Sequence, residues 1–132
     1  MKKEDKLQCD IVLWFSQTYP EYYGSLWAVF NEDSKHKKAL GMHAGASDLQ
    51  FFANGIFAGI EIKAPHSVHK KSHIEQQIEW GENITVNGGY YCISADLELI
   101  QKFIISIIEG TINSSLFDFD VTQLVKKKTI KF

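Results

Sequence analysis

Ser47-Asp48-Leu49-Gln50-Phe51-Phe52-Ala53-Asn54-Gly55-Ile56-Phe57-Ala58-Gly59-Ile60-Glu61-Ile62-Lys63 is the stretch that decides how this chain folds. Asn54-Gly55 between two apolar runs is a strong hairpin signal, because a two-residue type I′ turn needs positive φ at both central positions. A loop of that length fixes the register: Ala53 faces Ile56, and counting back from the turn sets Asp48 opposite Glu61. Strand side chains alternate, so Lys63 shares the face of Glu61 while Ile60 and Ile62 point into a core.

Two carboxylates facing one another across a ladder repel, at a cost of about 1 kcal/mol or less at a surface and more when buried. A cation between them removes the conflict. A hard divalent ion such as Mg²⁺ takes one or two protein carboxylates and completes its shell with water and phosphate oxygens. Such an ion polarises a phosphate and acidifies water, while a lysine beside it orients the attacking water and offsets charge building on phosphorus. The pattern therefore fits phosphodiester hydrolysis. The same three residues also fit an ordinary hairpin in which Asp48 caps the start of the strand and Glu61 and Lys63 are solvated.

With 132 residues, 45% of them hydrophobic and 13% aromatic, the chain is expected to fold as one globular core. The formal net charge of −2 does not announce a nucleic-acid binder. Its distribution is less neutral, because Lys35-His36-Lys37-Lys38 on one side of the hairpin, and His66, His69-Lys70-Lys71 and His73 on the other, form local basic segments. These are candidate DNA contacts or simply solvated faces. Cys9 and Cys92 lie far apart and are read as buried reduced thiols rather than a disulfide or zinc framework. No signal-peptide pattern or membrane-spanning run is visible, and a cytoplasmic protein with no membrane partner is expected.

Leu7, Ile11, Trp14 and Phe15 recur at helical spacing from Glu4 to Tyr19, before Pro20. Glu4 and Gln8, four apart at the edge of that face, either look toward the sheet or serve as a first-turn acid and a surface amide. Leu26 to Phe30 predicts a short buried strand, Lys35 to Leu40 one or two helical turns, and Gly41-Met42-His43-Ala44-Gly45-Ala46 a loop leading to Asp48. After Pro65 a helix is expected from about Ser72 to Asn87, with Gln77 beside Ile74 and Ile78 where a packed amide needs a hydrogen-bond partner. His69 and His73 lack the third ligand that a zinc site requires. Gly88-Gly89 opens a strand, Tyr90-Tyr91-Cys92-Ile93. Ser94 is a plausible N-cap for a last helix whose stripe runs Leu97, Ile100, Phe103, Ile104, Ile107 and Ile108 to Gly110. The division expected is a core over residues 1–110 and an extension, 111–132, that adds a strand, meets a partner or touches DNA.

This order of helix, strand, Asp-bearing strand, Glu-x-Lys strand, helix, strand and helix resembles the PD-(D/E)XK nuclease superfamily. More closely, the chain is similar to a stand-alone VRR-NUC domain of the phage and bacterial type. The resemblance is carried by Gly45-Ala46-Ser47-Asp48-Leu49, Glu61-Ile62-Lys63-Ala64, Gln77 with Gly88-Gly89, Glu4 with Gln8, and Asn31. It departs from the family at Ser47, where proline is usual, and Gln76 beside Gln77 leaves the glutamine open by one position. The resemblance implies an α/β fold with a restriction-endonuclease-like core, a mixed central β-sheet flanked by α-helices. It implies a DNA endonuclease in which Asp48, Glu61, the Ile62 carbonyl and Glu4 hold Mg²⁺ or Mn²⁺. Asp48, Glu61, Lys63 and Gln77 would form the catalytic set, and Gln8, Asn31, Lys35, Lys37, His43, Lys70 and Lys71 would meet nucleic acid. It further implies a homodimer that cuts branched DNA in the manner of Holliday-junction resolvases, leaving 5′-phosphate and 3′-hydroxyl ends. The alternative is a catalytically silent nuclease-fold module that binds nucleic acid.

Overall fold

The computed structural model describes residues 2–29, 47–64, 71–118 and 120–122. The turns expected at 35–40, the loop at 41–46 and the basic tail at 126–132 lie outside them.

The chain opens with α1 (Lys3–Thr18), whose Ile11 and Phe15 are buried while Leu7 and Trp14 pack beside them. The helix ends at Thr18, ahead of Pro20, which cannot donate a backbone hydrogen bond and starts a short 3-10 turn, Pro20–Tyr22. The strands are β1 (Leu26–Ala28), β2 (Leu49–Ala53), β3 (Ile56–Ile62), β4 (Tyr90–Ser94) and β5 (Leu116–Phe117), with α2 (Lys71–Val86) before β4 and α3 (Leu97–Glu109) after it. Among the described residues they form one five-stranded sheet in the order β1-β2-β3-β4-β5. The first three strands are antiparallel, and β4 and β5 join in parallel. The sheet is therefore mixed, as the resemblance implies.

The hairpin has the geometry its sequence requires. Asn54 and Gly55 sit at φ 53° and 74°, and Ala53 faces Ile56 with Leu49 opposite Ile60. One side of the sheet carries Leu49, Phe51, Ala58, Ile60, Ile62 and Cys92, and it is covered by α1 and α3 in the larger apolar cluster. The other side carries Tyr91 and Ile93 under Ile74 and Ile84 of α2. That second side is covered only in part, since Trp27, Phe52 and Phe57 keep substantial exposure there.

Several expectations need correction. Leu26–Ala28 is not a buried strand: it lies at the edge of the sheet and its residues are half-buried or exposed, because apolar content does not tell an edge strand from an inner one. Cys9 is exposed, whereas Cys92 is buried as expected. The N-cap of α3 is Asp96, whose carboxylate accepts from Leu99 N at 3.2 Å. Ser94 is instead the last residue of β4, and its hydroxyl accepts from Asp96 N and donates to Asp118 Oδ2. The end of α3 is as read, with Gly110 at φ 74°. Of the segment after Gly110, Leu116–Phe117 pairs with β4 as an added strand.

Candidate active site

Alternation along β2 and β3 sends Asp48, Gln50, Gly59, Glu61 and Lys63 toward α2, opposite the large apolar cluster. Continuing the register one step beyond Leu49 and Ile60 brings Asp48 against Glu61. Asp48 Oδ2 accepts the Ile62 amide at 2.9 Å, which fixes the aspartate at the open end of the ladder. Glu61 is only 3% exposed and Lys63 6%. Their charged ends lie 3.7 Å apart, Lys63 Nζ to Glu61 Oε2. A buried acid and a buried base here share one compartment with a second acid.

The electrostatics follow from that crowding. Burial is the largest cause that holds the Glu61 carboxyl well above its ordinary range. The hydrogen bond it shares with Asp48, and the Asp48 charge, push it the same way; Lys63 opposes them and Glu4 adds to them. Two carboxyl groups that share a hydrogen bond hold a proton between them, and a divalent cation is the natural substitute for that proton.

Around this pair stand polar atoms without partners. Among the described residues, the buried side-chain oxygens lacking a hydrogen bond are Gln50 Oε1, Glu61 Oε1, Gln77 Oε1 and Tyr91 Oη. All belong to the space between the sheet and α2, where a closed interior ordinarily leaves few such atoms. Three are pure acceptors, so what the space lacks is donors or positive charge. This fits a hard cation with its waters: Asp48 and Glu61 would supply the carboxylates, and Ile62 lies between them and Lys63 in sequence. The fit is to a two-carboxylate site, because no group of three or more His, Cys, Asp and Glu residues is arranged to hold a metal among the described residues.

The remaining expected residues sort as follows. Glu4 reaches the end of β3, where its Oε1 accepts from Ala64 N at 3.2 Å. Gln8 is half-buried one helical turn further along α1. Gln77 is half-buried with its carbonyl turned inward, whereas Gln76 is exposed and lines an outer hollow with Glu79, Glu82 and Val86. Lys71 starts α2 and pairs with Glu75 at 3.3 Å on the surface. Asn31, Lys35, Lys37, His43 and Lys70 lie outside the described residues.

Two participants were given no site role from sequence. Ser47 is fully buried, and its hydroxyl accepts from Gln50 Nε2 at 3.0 Å and from Trp80 Nε1 at 3.4 Å. It fits there because Gly59 has no side chain; a Cβ at Gly59 would lie 2.4 Å from Ser47 Oγ. Ser47 thus ties the start of β2 to α2. Tyr91 is the other, and its only sequence signal was its place in an aromatic strand.

No protein-family model matches the sequence, and no curated protein matches it. Among solved structures, one described as a VRR_NUC domain protein superposes with a TM-score of 0.61, covering 89% of this chain and 94% of that chain at 20% sequence identity. This chain therefore has the fold of that VRR_NUC domain protein, a nuclease-fold domain with a restriction-endonuclease-like mixed sheet.

Proposed function

We propose that the protein is a metal-dependent DNA endonuclease of the VRR-NUC type that hydrolyses phosphodiester bonds. The observation that carries this reading is the pairing of half-buried Asp48 with buried Glu61, with Lys63 Nζ 3.7 Å from Glu61, on a side of the sheet where acceptor oxygens lack partners. A purely structural role for two buried ionisable groups beside a half-buried aspartate is hard to sustain, since a packed apolar cluster of similar volume stabilises a fold as well or better.

Asp48 and Glu61 would hold Mg²⁺ or Mn²⁺, with the Ile62 carbonyl as a further candidate; Glu4, whose Oε1 accepts from Ala64 N, does not complete a three-acid group with them. When bound, the cation supplies Lewis-acid polarisation of the scissile phosphate and acidifies a water. Lys63 would orient the attacking water and offset negative charge on the phosphate oxygens. Gln77 would accept a hydrogen bond from water through its inward carbonyl. Water attacks phosphorus in line, the bond to the 3′ oxygen breaks, and that oxygen takes up a proton, leaving 5′-phosphate and 3′-hydroxyl ends. The preferred substrate is branched DNA, cut by a C₂ homodimer that presents two such sites.

Incubation with branched, single-stranded and duplex DNA, in Mn²⁺ and in chelator, tests this reading. Cleavage is expected in Mn²⁺ alone, with loss in Asp48→Ala, Glu61→Ala and Lys63→Ala. Metal-dependent cleavage that survives both acid substitutions would place the chemistry elsewhere. Gel filtration returning only monomer, with no preference for four-way junctions over linear duplex, would remove the dimeric resolvase part. A silent nucleic-acid-binding module is the second reading, and it is favoured by the lack of a third acidic ligand in the cluster among the described residues. It requires DNA retardation that Asp48→Ala and Glu61→Ala leave unchanged.

A further inference from the structure

Tyr91 of β4, a strand to which the family resemblance assigns no site residue, lies on the side of the sheet that carries Glu61 and close enough for the Glu61 and Asp48 charges to act on its hydroxyl. It is fully buried, and on the sheet it stands beside Gly59, two residues before Glu61 on the neighbouring strand. Its ring is locked in place. Gly81 of α2 lies directly over it, so close that a Cβ there would come within 2.1 Å of the ring. Phe117 flanks it at a centroid distance of 5.7 Å.

The hydroxyl at the end of this fixed ring has no hydrogen-bond partner. An unsatisfied buried hydroxyl destabilises the fold by its lost hydration, and phenylalanine would fill the same groove without that cost. Packing therefore accounts for the ring and not for the oxygen. Burial first, then the charges of Glu61, Cys92 and Asp48, raise the phenol's pKa, so the oxygen keeps its proton and remains a donor. Glu61 Oε1 and Gln77 Oε1 are unpartnered acceptors on the same side of the sheet, and Gln77 lies one helical turn before Gly81. One donor and two acceptors match the capacity of a single water, which accepts one hydrogen bond and donates two.

We propose that Tyr91 is a positioning residue of the acidic centre: through one enclosed water its hydroxyl holds the Glu61 carboxylate, together with the Gln77 carbonyl, in the orientation that ligates the divalent cation. The assignment rests on the nuclease reading above and adds to it a residue acting through Glu61.

Tyr91→Phe tests it, because the variant keeps the ring over Gly81 and removes only the oxygen. Mn²⁺ binding is measured by calorimetry, and melting is measured without metal. The expected result is a metal-free melting temperature equal to or above that of the wild type, with Mn²⁺ affinity lower by about 10-fold or more, the range for groups that orient a ligand. In a Glu61→Gln background the same change should have no further effect on Mn²⁺ affinity. Equal Mn²⁺ affinity in wild type and Tyr91→Phe overturns the assignment while leaving the nuclease reading in place. Wild-type protein that binds no Mn²⁺ overturns both. A Tyr91→Phe variant that melts well below wild type without metal also overturns it, since the oxygen would then serve the fold.

Discussion

Glu61 sets the pH behaviour of the centre. Its folded pKa is raised above the ordinary value of 4.5 by burial and by Asp48, so the metal-free protein binds a proton that the unfolded chain releases more readily. The sign follows directly. The stability contributed by this group is fully present below pH 4.5 and is lost as pH rises through the folded pKa. A divalent cation bound as proposed would compete for the same position, so its binding would release a proton and strengthen across that interval. Thermal melts from pH 4 to 9 are expected to show the metal-free midpoint falling over this range while the Mn²⁺-induced rise grows, and Glu61→Gln should flatten both trends. Identical slopes in wild type and Glu61→Gln would mean that the proton resides on another group.

At the scale of elements, the β2–β3 hairpin is held from both ends. Asp48 closes its open end by accepting the Ile62 amide. At the turn, Asn54 Nδ2 donates to the carbonyls of Ile107 at 3.0 Å and Ile108 at 2.7 Å, the last turn of α3. Asn54 also adopts φ 53°, a conformation that costs most other L-residues about 1–2 kcal/mol. Asn54→Ala therefore loses both the backbone fit and the link to α3, and is expected to destabilise the protein by about 2–3 kcal/mol. Asn54→Gly, which tolerates positive φ, should lose clearly less in urea titrations; equal losses would assign the whole effect to the side-chain bonds. This hairpin was also the most legible part of the sequence, because an Asn-Gly turn and a period of two fix register without any distant contact. The stripe of α3 and its Gly110 terminus were legible for the same local reason. What escaped depends on tertiary placement. Apolar Leu26–Ala28 reads alike at an edge and in the middle of a sheet. Ser94 and Asp96 are both good caps by type, and only the path of the chain selects Asp96. Ser47 and Tyr91 enter the site because Gly59 and Gly81, far from them in sequence, leave room.

The whole molecule is built asymmetrically about its sheet. On one side Ile100, Phe103, Ile104 and Ile107 of α3 join α1 in a continuous apolar cluster; on the other, α2 buries Ile74 and Ile84 over a surface interrupted by Gln50, Glu61 and Lys63. A glycine in the middle of α2 weakens it by about 1 kcal/mol relative to alanine. Most of the stabilising burial is thus placed on the side away from the acidic centre, which lies beneath the helix with less to hold it. Local opening of α2 should consequently require less free energy than opening of α3. In hydrogen exchange on the metal-free protein, α2 amides are expected to exchange faster than those of α3. Opening α2 separates Gln77 from the sheet and uncovers Glu61, so a cation bound there must be released for the helix to open. Mn²⁺ at about 100 times its Kd should then slow α2 exchange by about 100-fold, corresponding to about 2.7 kcal/mol of linkage. If saturating Mn²⁺ leaves α2 exchange unchanged, the helix opens without disturbing the centre, and Gln77 has no part in holding what binds there.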